Sequence, residues 1–347
     1  MDLNRGEIYF IRERLGAGFT EFTKIGLVRE KEGRSSADRA KEHQTGNPRI
    51  LSTVKVVQTA FVSTVEKTLH REFARERYLP GEWFKLDDEQ LSRAVARCQE
   101  LATTNEAYVP LFEQADQLKV VTASSEVVPP SEAAKEWRIA HACADAGKKL
   151  ISESLAGYKV FLIEAQLRGA DVESYLETTV AAGAKRWKEA LFRERYPDII
   201  RLFESEETAL VPTFSVEKSK GDDFSSDARL SEVVSTTSAL NVAVAAAEET
   251  REALDEMFQL HLQLIGMEPA LKELTSIAEA NLKVLCGVSA GIEGVCKWPR
   301  AEKVKTVVDT EALSAAYPDE YASCYVIGDS TPRKSLRRGR GAGAPEE

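Results

Sequence analysis

Six polar side chains in the first 70 residues have types and spacings that suit joint chemistry. Arg39 and His43 stand four residues apart, as do Glu66 and His70, so on a helix each pair would share a face. Tyr9 and Lys24 lie upstream, in segments rich in β-formers. A carboxylate, two imidazoles, a phenol and two cations can hold a metal ion, pass protons and neutralise an anion.

The surrounding pattern says what must position them. Residues 7–12 and 22–28 read as two strands joined by a loop with Gly16 and Gly18, an antiparallel hairpin. Gly26, inside the second strand, allows close approach of another group. Ser35 or Ser36 can cap a helix running to about Gln44, and residues 45–48 turn the chain. Residues 51–58 alternate as a third strand. A longer helix from about 59 to 77 carries Val62, Val65, Leu69 and Phe73 as its apolar stripe, and Pro80-Gly81 stops it. Trp83 and Phe84 then return to the sheet. The order ββαβα predicts a compact α+β unit with a small antiparallel three-stranded sheet flanked by helices.

On these residues the chain resembles the GIY-YIG nuclease superfamily. The resemblance rests on Gly6-Glu7-Ile8-Tyr9, Lys24-Ile25-Gly26, Arg39 and then Glu66 on a later helix. Gln44-Thr45-Gly46-Asn47-Pro48, Leu69-His70 and Gly81-Glu82-Trp83-Phe84 look like the meiotically-up-regulated-gene-type branch found in phages and bacteria. Lys24 stands where the superfamily's second motif has Tyr, a swap usual in that branch.

The resemblance implies a metal-dependent endonuclease. Glu66 would be the ligand of one Mg²⁺ or Mn²⁺, and Tyr9 would position or deprotonate the attacking water, with His43 sharing that task. Arg39 and Lys24 would neutralise the phosphate. Gly26, His70 and Trp83 would support the site structurally, and the partner would be DNA.

Charge partitions along the chain. Residues 1–86 carry 16 Lys and Arg against 12 Asp and Glu, whereas the rest carries 30 against 44. A basic module on an acidic body can hold phosphates locally, because screening confines its field to roughly 8–10 Å. Five cysteines, an odd count without a CxxC pair, fit reduced thiols better than disulfides or structural zinc. No apolar run reaches the roughly 18 residues of a membrane span, and no secretory leader opens the chain. A cytoplasmic protein with no membrane partner is the expectation.

The expected organisation is a nuclease domain over 1–105, a linker over 106–130, a helical domain over 131–290, a small α+β segment over 291–337 and a disordered tail over 338–347. Within it, helices are expected over about 131–168 with a break at Gly157, over 172–196, over 226–264, and from Pro269 to about 285. Residues 206–226 read as a polar stretch, with 218–223 a mobile loop. Residues 291–298 read as a Gly turn and strand, followed by a short helix near 310–316 and a strand at 325–327. From about 271 to 337 the chain resembles the C-terminal tail of YqaJ-type phage exonucleases, without that family's catalytic motif. Arg333, Lys334, Arg337 and Arg338 are candidate nucleic-acid contacts. The helical region would select DNA or assemble a homo-oligomer, in phage, mobile-element or anti-phage defence biology. The competing expectation is a catalytically silent DNA-binding or assembly protein.

Overall fold

A computed structural model describes residues 1–45, 49–78, 81–180, 183, 185–218, 224, 227–328 and 332–338. In chain order the elements are β1 (Gly6–Leu15), β2 (Gly18–Arg29), α1 (Ser36–Gln44), β3 (Leu51–Thr59), α2 (Val62–Glu72), β4 (Trp83–Lys85), α3 (Asp88–Glu106), α4 (Val109–Lys119), β5 (Val127–Val128) and α5 (Glu132–Leu167). They continue with β6 (Leu176–Val180), β7 (Lys185–Trp187), α6 (Glu189–Arg195), α7 (Pro197–Arg201), β8 (Glu204–Pro212), β9 (Ser215–Val216), α8 (Ser231–Ala246) and α9 (Arg251–Cys286). The last are β10 (Gly291–Ile292), β11 (Cys296–Lys297), β12 (Arg300–Val308), α10 (Thr310–Ala316), α11 (Pro318–Ser323), β13 (Tyr325–Ile327) and β14 (Pro332–Leu336).

The N-terminal sheet is antiparallel with strand order β3-β1-β2-β4, so the expected three strands gain a short fourth at the edge. Alternation along β1 sends Ile8 and Phe10 to one face, where Val62, Val65 and Leu69 of α2 and Cys98 and Leu101 of α3 cover them. Tyr9 and Ile11 point to the other face, with Ala40 of α1 against them. Helix α1 begins with Ser35 and Asp38 in a reciprocal capping box. The helix expected over 59–77 is shorter: α2 ends at Glu72 and a 3₁₀ turn, Ala74–Glu76, follows.

Several expectations for the remainder are corrected. The stretch 106–130 is not a linker throughout, because α4 buries Val109, Phe112 and Ala115 against Phe61, Ile277 and Ala280. Helix α5 runs 36 residues without a break at Gly157. In place of a helix over 172–196 stand β6, β7 and α6, and in place of a polar stretch from 206 stand β8 and β9. Most of their strand partners lie about a hundred residues or more downstream, beyond the reach of local propensity. The helix expected over 226–264 is interrupted at Ala247, which adopts φ 55°, and Thr250 caps α9 anew. Pro269 does not open a helix but lies inside α9. Its ring forfeits one backbone hydrogen bond, while the buried contacts of Ile265 and Leu271 on either side hold the helix together. The turn at 46–48, Pro80 of the expected helix stop, residues 219–223 of the expected loop and the tail 339–347 lie outside the described residues.

Helices α5, α8 and α9 pack along the large core, through Tyr158, Leu162, Leu240, Phe258 and Leu262. The strands after α5 form an arch. One antiparallel register runs from Leu176↔Leu336 through Lys185↔Ile327 and Glu204↔Val308 to Val216↔Cys296. One end is fixed near the start of α9, where Leu176 and Leu336 join the core of Leu254 and Phe258. The other is fixed near its end, where Val216, Cys296 and Trp298 meet Leu282 and Cys286. At 3.3 Å per residue its strands sum to roughly 60 Å, against about 36 Å of helix between Phe258 and Leu282. The arch therefore bows outward, and residues 205–209 and 301–306 are exposed on both faces. All five cysteines are buried free thiols.

Candidate functional site

Tyr9, Lys24, Arg39 and His43 gather on the α1 face of the N-terminal sheet, whereas Glu66 comes from α2, which covers the opposite face. Tyr9 of β1 stands opposite Gly26 of β2 in the strand register. A Cβ at Gly26 would come within 2.4 Å of the Tyr9 hydroxyl, so only glycine lets the phenol lie across β2. The ring is buried, and its Oη is 3.1 Å from His43 Nε2.

Helix α1 delivers His43 because both its ends are tied down. At its start, Glu7 of β1 accepts the Ser36 N–H at 2.9 Å. At its end, Gln44 donates to the Arg49 carbonyl at 2.9 Å and accepts the Leu51 N–H at 2.8 Å. Arg39, one turn before His43, adjoins the Tyr9 hydroxyl and pairs with Glu42 at 2.7 Å.

On the other side of Tyr9, Lys24 of β2 is almost wholly buried. Its Nζ bonds Glu82 at 2.7 Å, and the Glu82 carbonyl accepts the Ile25 N–H at 3.0 Å. Burial works against the Glu82 charge, but the Lys24 bond and cation hold its carboxyl below the usual range.

Glu66, on α2, completes the cluster electrostatically. Burial first, then the Glu82 charge, push its carboxyl up to about 7, and Arg29, Lys67 and Lys24 oppose the shift. Burial and the charges of Glu82 and Glu66 raise the Tyr9 phenol to about 12, against the pull of Arg39. His43 is lowered by burial and by the cations Lys24 and Arg39, so its imidazole is neutral at pH 7.

The structure thus brings Tyr9, Arg39 and His43 into direct contact, and joins Lys24 and Glu66 to them through Glu82. In the sequence Glu82 stands only as one letter of a motif. Its place beside Lys24 follows from the pairing of β4 with β2; the return of Trp83 and Phe84 to the sheet is expected from the sequence, but the strand they pair with is not.

His70 is a structural bridge. Its Nε2 is 2.8 Å from the Ile25 carbonyl, and burial lowers its pKa to about 4, so the neutral ring donates there. Trp83 is half-buried and pairs with Lys24 across the strands. Among the described residues, no group of three or more His, Cys, Asp or Glu is placed to hold a metal. A magnesium ion that keeps most of its water shell needs only one or two carboxylates.

The basic C-terminal residues are divided. Lys334 bonds Gln166 at 2.6 Å, and Arg337 bonds the Glu173 carbonyl at 2.7 Å. Arg333 and Arg338 are exposed. The Arg337 carbonyl lies 2.9 Å from His261 of α9, and the next residue, Arg338, bears electrostatically on Arg71 at the end of α2 and on Arg77 just past the 3₁₀ turn that follows. The C-terminal strand therefore brings a cation to the N-terminal domain.

Among the described residues, no helix is long and apolar enough to cross a membrane. No curated protein and no solved structure matches the chain. Residues 6–99 match the T5orf172 domain, a phage-associated domain of the nuclease-related group that includes GIY-YIG and HNH-like members.

Proposed function

We propose that the chain is a metal-dependent endonuclease of GIY-YIG type that hydrolyses phosphodiester bonds in DNA. The observation that carries this reading is the Tyr9–His43–Arg39 cluster over Gly26, with the Lys24–Glu82 pair and Glu66 beside it, inside the span that matches the nuclease-related domain.

The electrostatics divide the roles. Neutral His43 is the proton acceptor. Tyr9, raised to about 12, keeps its proton in the resting state and acts as a relay. It takes the proton of the attacking water on Oη while passing its own to His43 Nε2. Arg39 then faces the phosphoryl oxygens as charge develops. Lys24, fixed by Glu82, adds a second positive charge. Glu66 would hold Mg²⁺ or Mn²⁺. Its fit rests on a half-buried carboxyl whose proton is lost readily near neutral pH and which bonds no described side chain. The metal would supply Lewis-acid stabilisation of the phosphoryl and leaving oxygens. The exposed Arg333 and Arg338 would take DNA phosphates outside the cut, and the helical region would select DNA. The setting is phage, mobile-element or anti-phage biology.

The test is cleavage of supercoiled plasmid in Mg²⁺, Mn²⁺ or EDTA, by the wild type, Glu66→Ala and Arg39→Ala. Metal-dependent cutting lost in both variants is expected. Cutting that survives in both would remove the assignment. DNA binding without cutting by any of the three would favour the catalytically silent binding protein.

A further inference from the structure

The crown of the arch contains one unit twice. Residues 185–204 run strand, helix, Tyr-Pro-Asp, short helix, strand, and residues 306–325 do the same. Helices α6 and α10 are each seven residues long. They end on Tyr196 and Tyr317 with φ −133° in both, and ψ 57° and 65°. The two tyrosine N–H groups bond the carbonyls of Phe192 at 2.8 Å and Leu313 at 2.9 Å. Pro197 and Pro318 then open α7 and α11.

The copies also bond each other reciprocally. Lys188 N–H donates to the Cys324 carbonyl at 3.1 Å, and its counterpart Asp309 N–H donates to the Phe203 carbonyl at 2.9 Å. With β7 on β13 and β8 on β12, the two copies are related by an approximate twofold axis. Their shared core pairs Phe192 with Leu313 and Phe203 with Cys324.

The core positions correspond, but the net charges are opposite: residues 185–204 hold six Lys and Arg against four Asp and Glu, and residues 306–325 hold four Asp and Glu and no Lys or Arg, although Asp198 and Asp319 are equivalent and alike. In the first copy Lys185, Arg186 and Lys188 are exposed and have no ion-pair partner among the described residues. In the second, Asp309, Glu311, Asp319 and Glu320 likewise have none, though Asp309 caps α10. Lys188 and Asp309 occupy equivalent places. Beside them on β13, Tyr325, Val326 and Ile327 are 37%, 40% and 69% exposed.

We propose that this crown docks a second copy of the chain, in a twofold dimer that lays each cationic lobe on the partner's anionic lobe. A twofold operation satisfies both contacts at once, because a self-complementary patch meets itself. A nucleic acid would match only the first lobe and be repelled by the second. The exposed apolar residues of β13 supply surface that becomes dry in such a contact. The inference does not depend on the nuclease reading.

The full-length chain provides the test, by light scattering at low salt and at about 0.5 M salt, where screening shortens to a few ångströms. The wild type should dimerise, with dissociation favoured about tenfold or more at the higher salt. Arg186→Glu with Lys188→Glu makes both lobes negative, and Glu311→Lys with Asp319→Lys and Glu320→Lys makes both positive. Each variant alone should be monomeric, and their equimolar mixture should form the dimer, which also shows that both are folded. A chain with all five reversals should dimerise again. A wild type monomeric at all concentrations overturns the proposal. So does a dimer indifferent to either reversal, or a mixture that stays monomeric. Duplex DNA bound by a monomeric wild type and lost on reversing Arg186 and Lys188 would assign the crown to nucleic acid and overturn it too.

Discussion

The N-terminal sheet and the arch are both antiparallel β structures, yet they are built at opposite sequence ranges. In the sheet, β1 pairs with its immediate successor and with β3, and the candidate site draws on residues between Tyr9 and Glu82. In the arch, Leu176 pairs with Leu336 and Val216 with Cys296, with α8 and α9 inserted between the two strands. The sheet has helices on both faces, whereas much of the arch is exposed on both. Its cohesion is therefore concentrated in its two anchored ends and its crown. A region held by many consecutive contacts can fix a reactive geometry. A long ribbon held at three places suits presentation of a surface.

The largest expected effect tests the sheet side of this contrast. Glu66→Ala should lower metal-dependent cutting on the order of 10³-fold, because the ligand and its charge are both removed. Circular dichroism should show the fold unchanged.

On the arch side, Phe192→Ala and Leu313→Ala should each cost about 2–5 kcal/mol locally, since both fill one small core. Hydrogen exchange should show lost protection around 186–203 and 308–325 in either variant, with residues 1–106 unaffected. Loss of protection in the N-terminal sheet would mean that the two regions unfold as one.

Gly26→Ala should disturb the sheet more than its size suggests. The added methyl overlaps the Tyr9 ring, and the displacement should cost roughly 1–3 kcal/mol in denaturant unfolding together with most of the cutting activity.

Glu66→Gln gives a prediction with a defined sign. The Glu66 carboxyl is raised in the folded state from 4.5 to about 7. Its protonated form contributes stability that is full below about pH 4.5 and lost as pH rises through about 7. In EDTA the Gln variant should therefore be more stable than wild type at pH 8, by roughly 1–3 kcal/mol, with the difference vanishing at about pH 4. In the wild type, cutting should increase as pH rises through about 7, because the metal needs the ionised carboxylate.

The smallest effect belongs to the long helices. Gly157 in α5 has open space where a Cβ would go, so Gly157→Ala should add about 0.5–1 kcal/mol with no change in activity. A thermal melt of the two chains decides it.

The sheet is legible in the sequence because its signals are local. Gly26 marks a close approach, the four-residue spacing of Arg39 and His43 marks a shared helix face, and the stripe Val62, Val65, Leu69 marks a buried side. Glu82 is visible only as a motif letter. Its ion pair with Lys24 depends on β4 closing the edge of the sheet. The arch reads as helix and polar coil because Glu189-Ala190-Leu191 and its neighbours do favour helix locally. The strands on either side acquire their identity from partners at the far end of the chain. Of the repeat, Tyr-Pro-Asp at 196–198 and 317–319 is the only identical stretch in register.

By itself the sequence determined the N-terminal α+β unit, the order of its elements and the chemical types gathered there, because periods of 2 and 3.6 and capping residues act over a few positions. Only the tertiary structure decided that Tyr9 lies under His43, that burial tunes Glu66 to about 7 while Lys24 is held by Glu82, and that two dissimilar segments form one pseudo-symmetric crown. Those outcomes depend on desolvation and on contacts between residues distant in the chain, and neither is written in any local window.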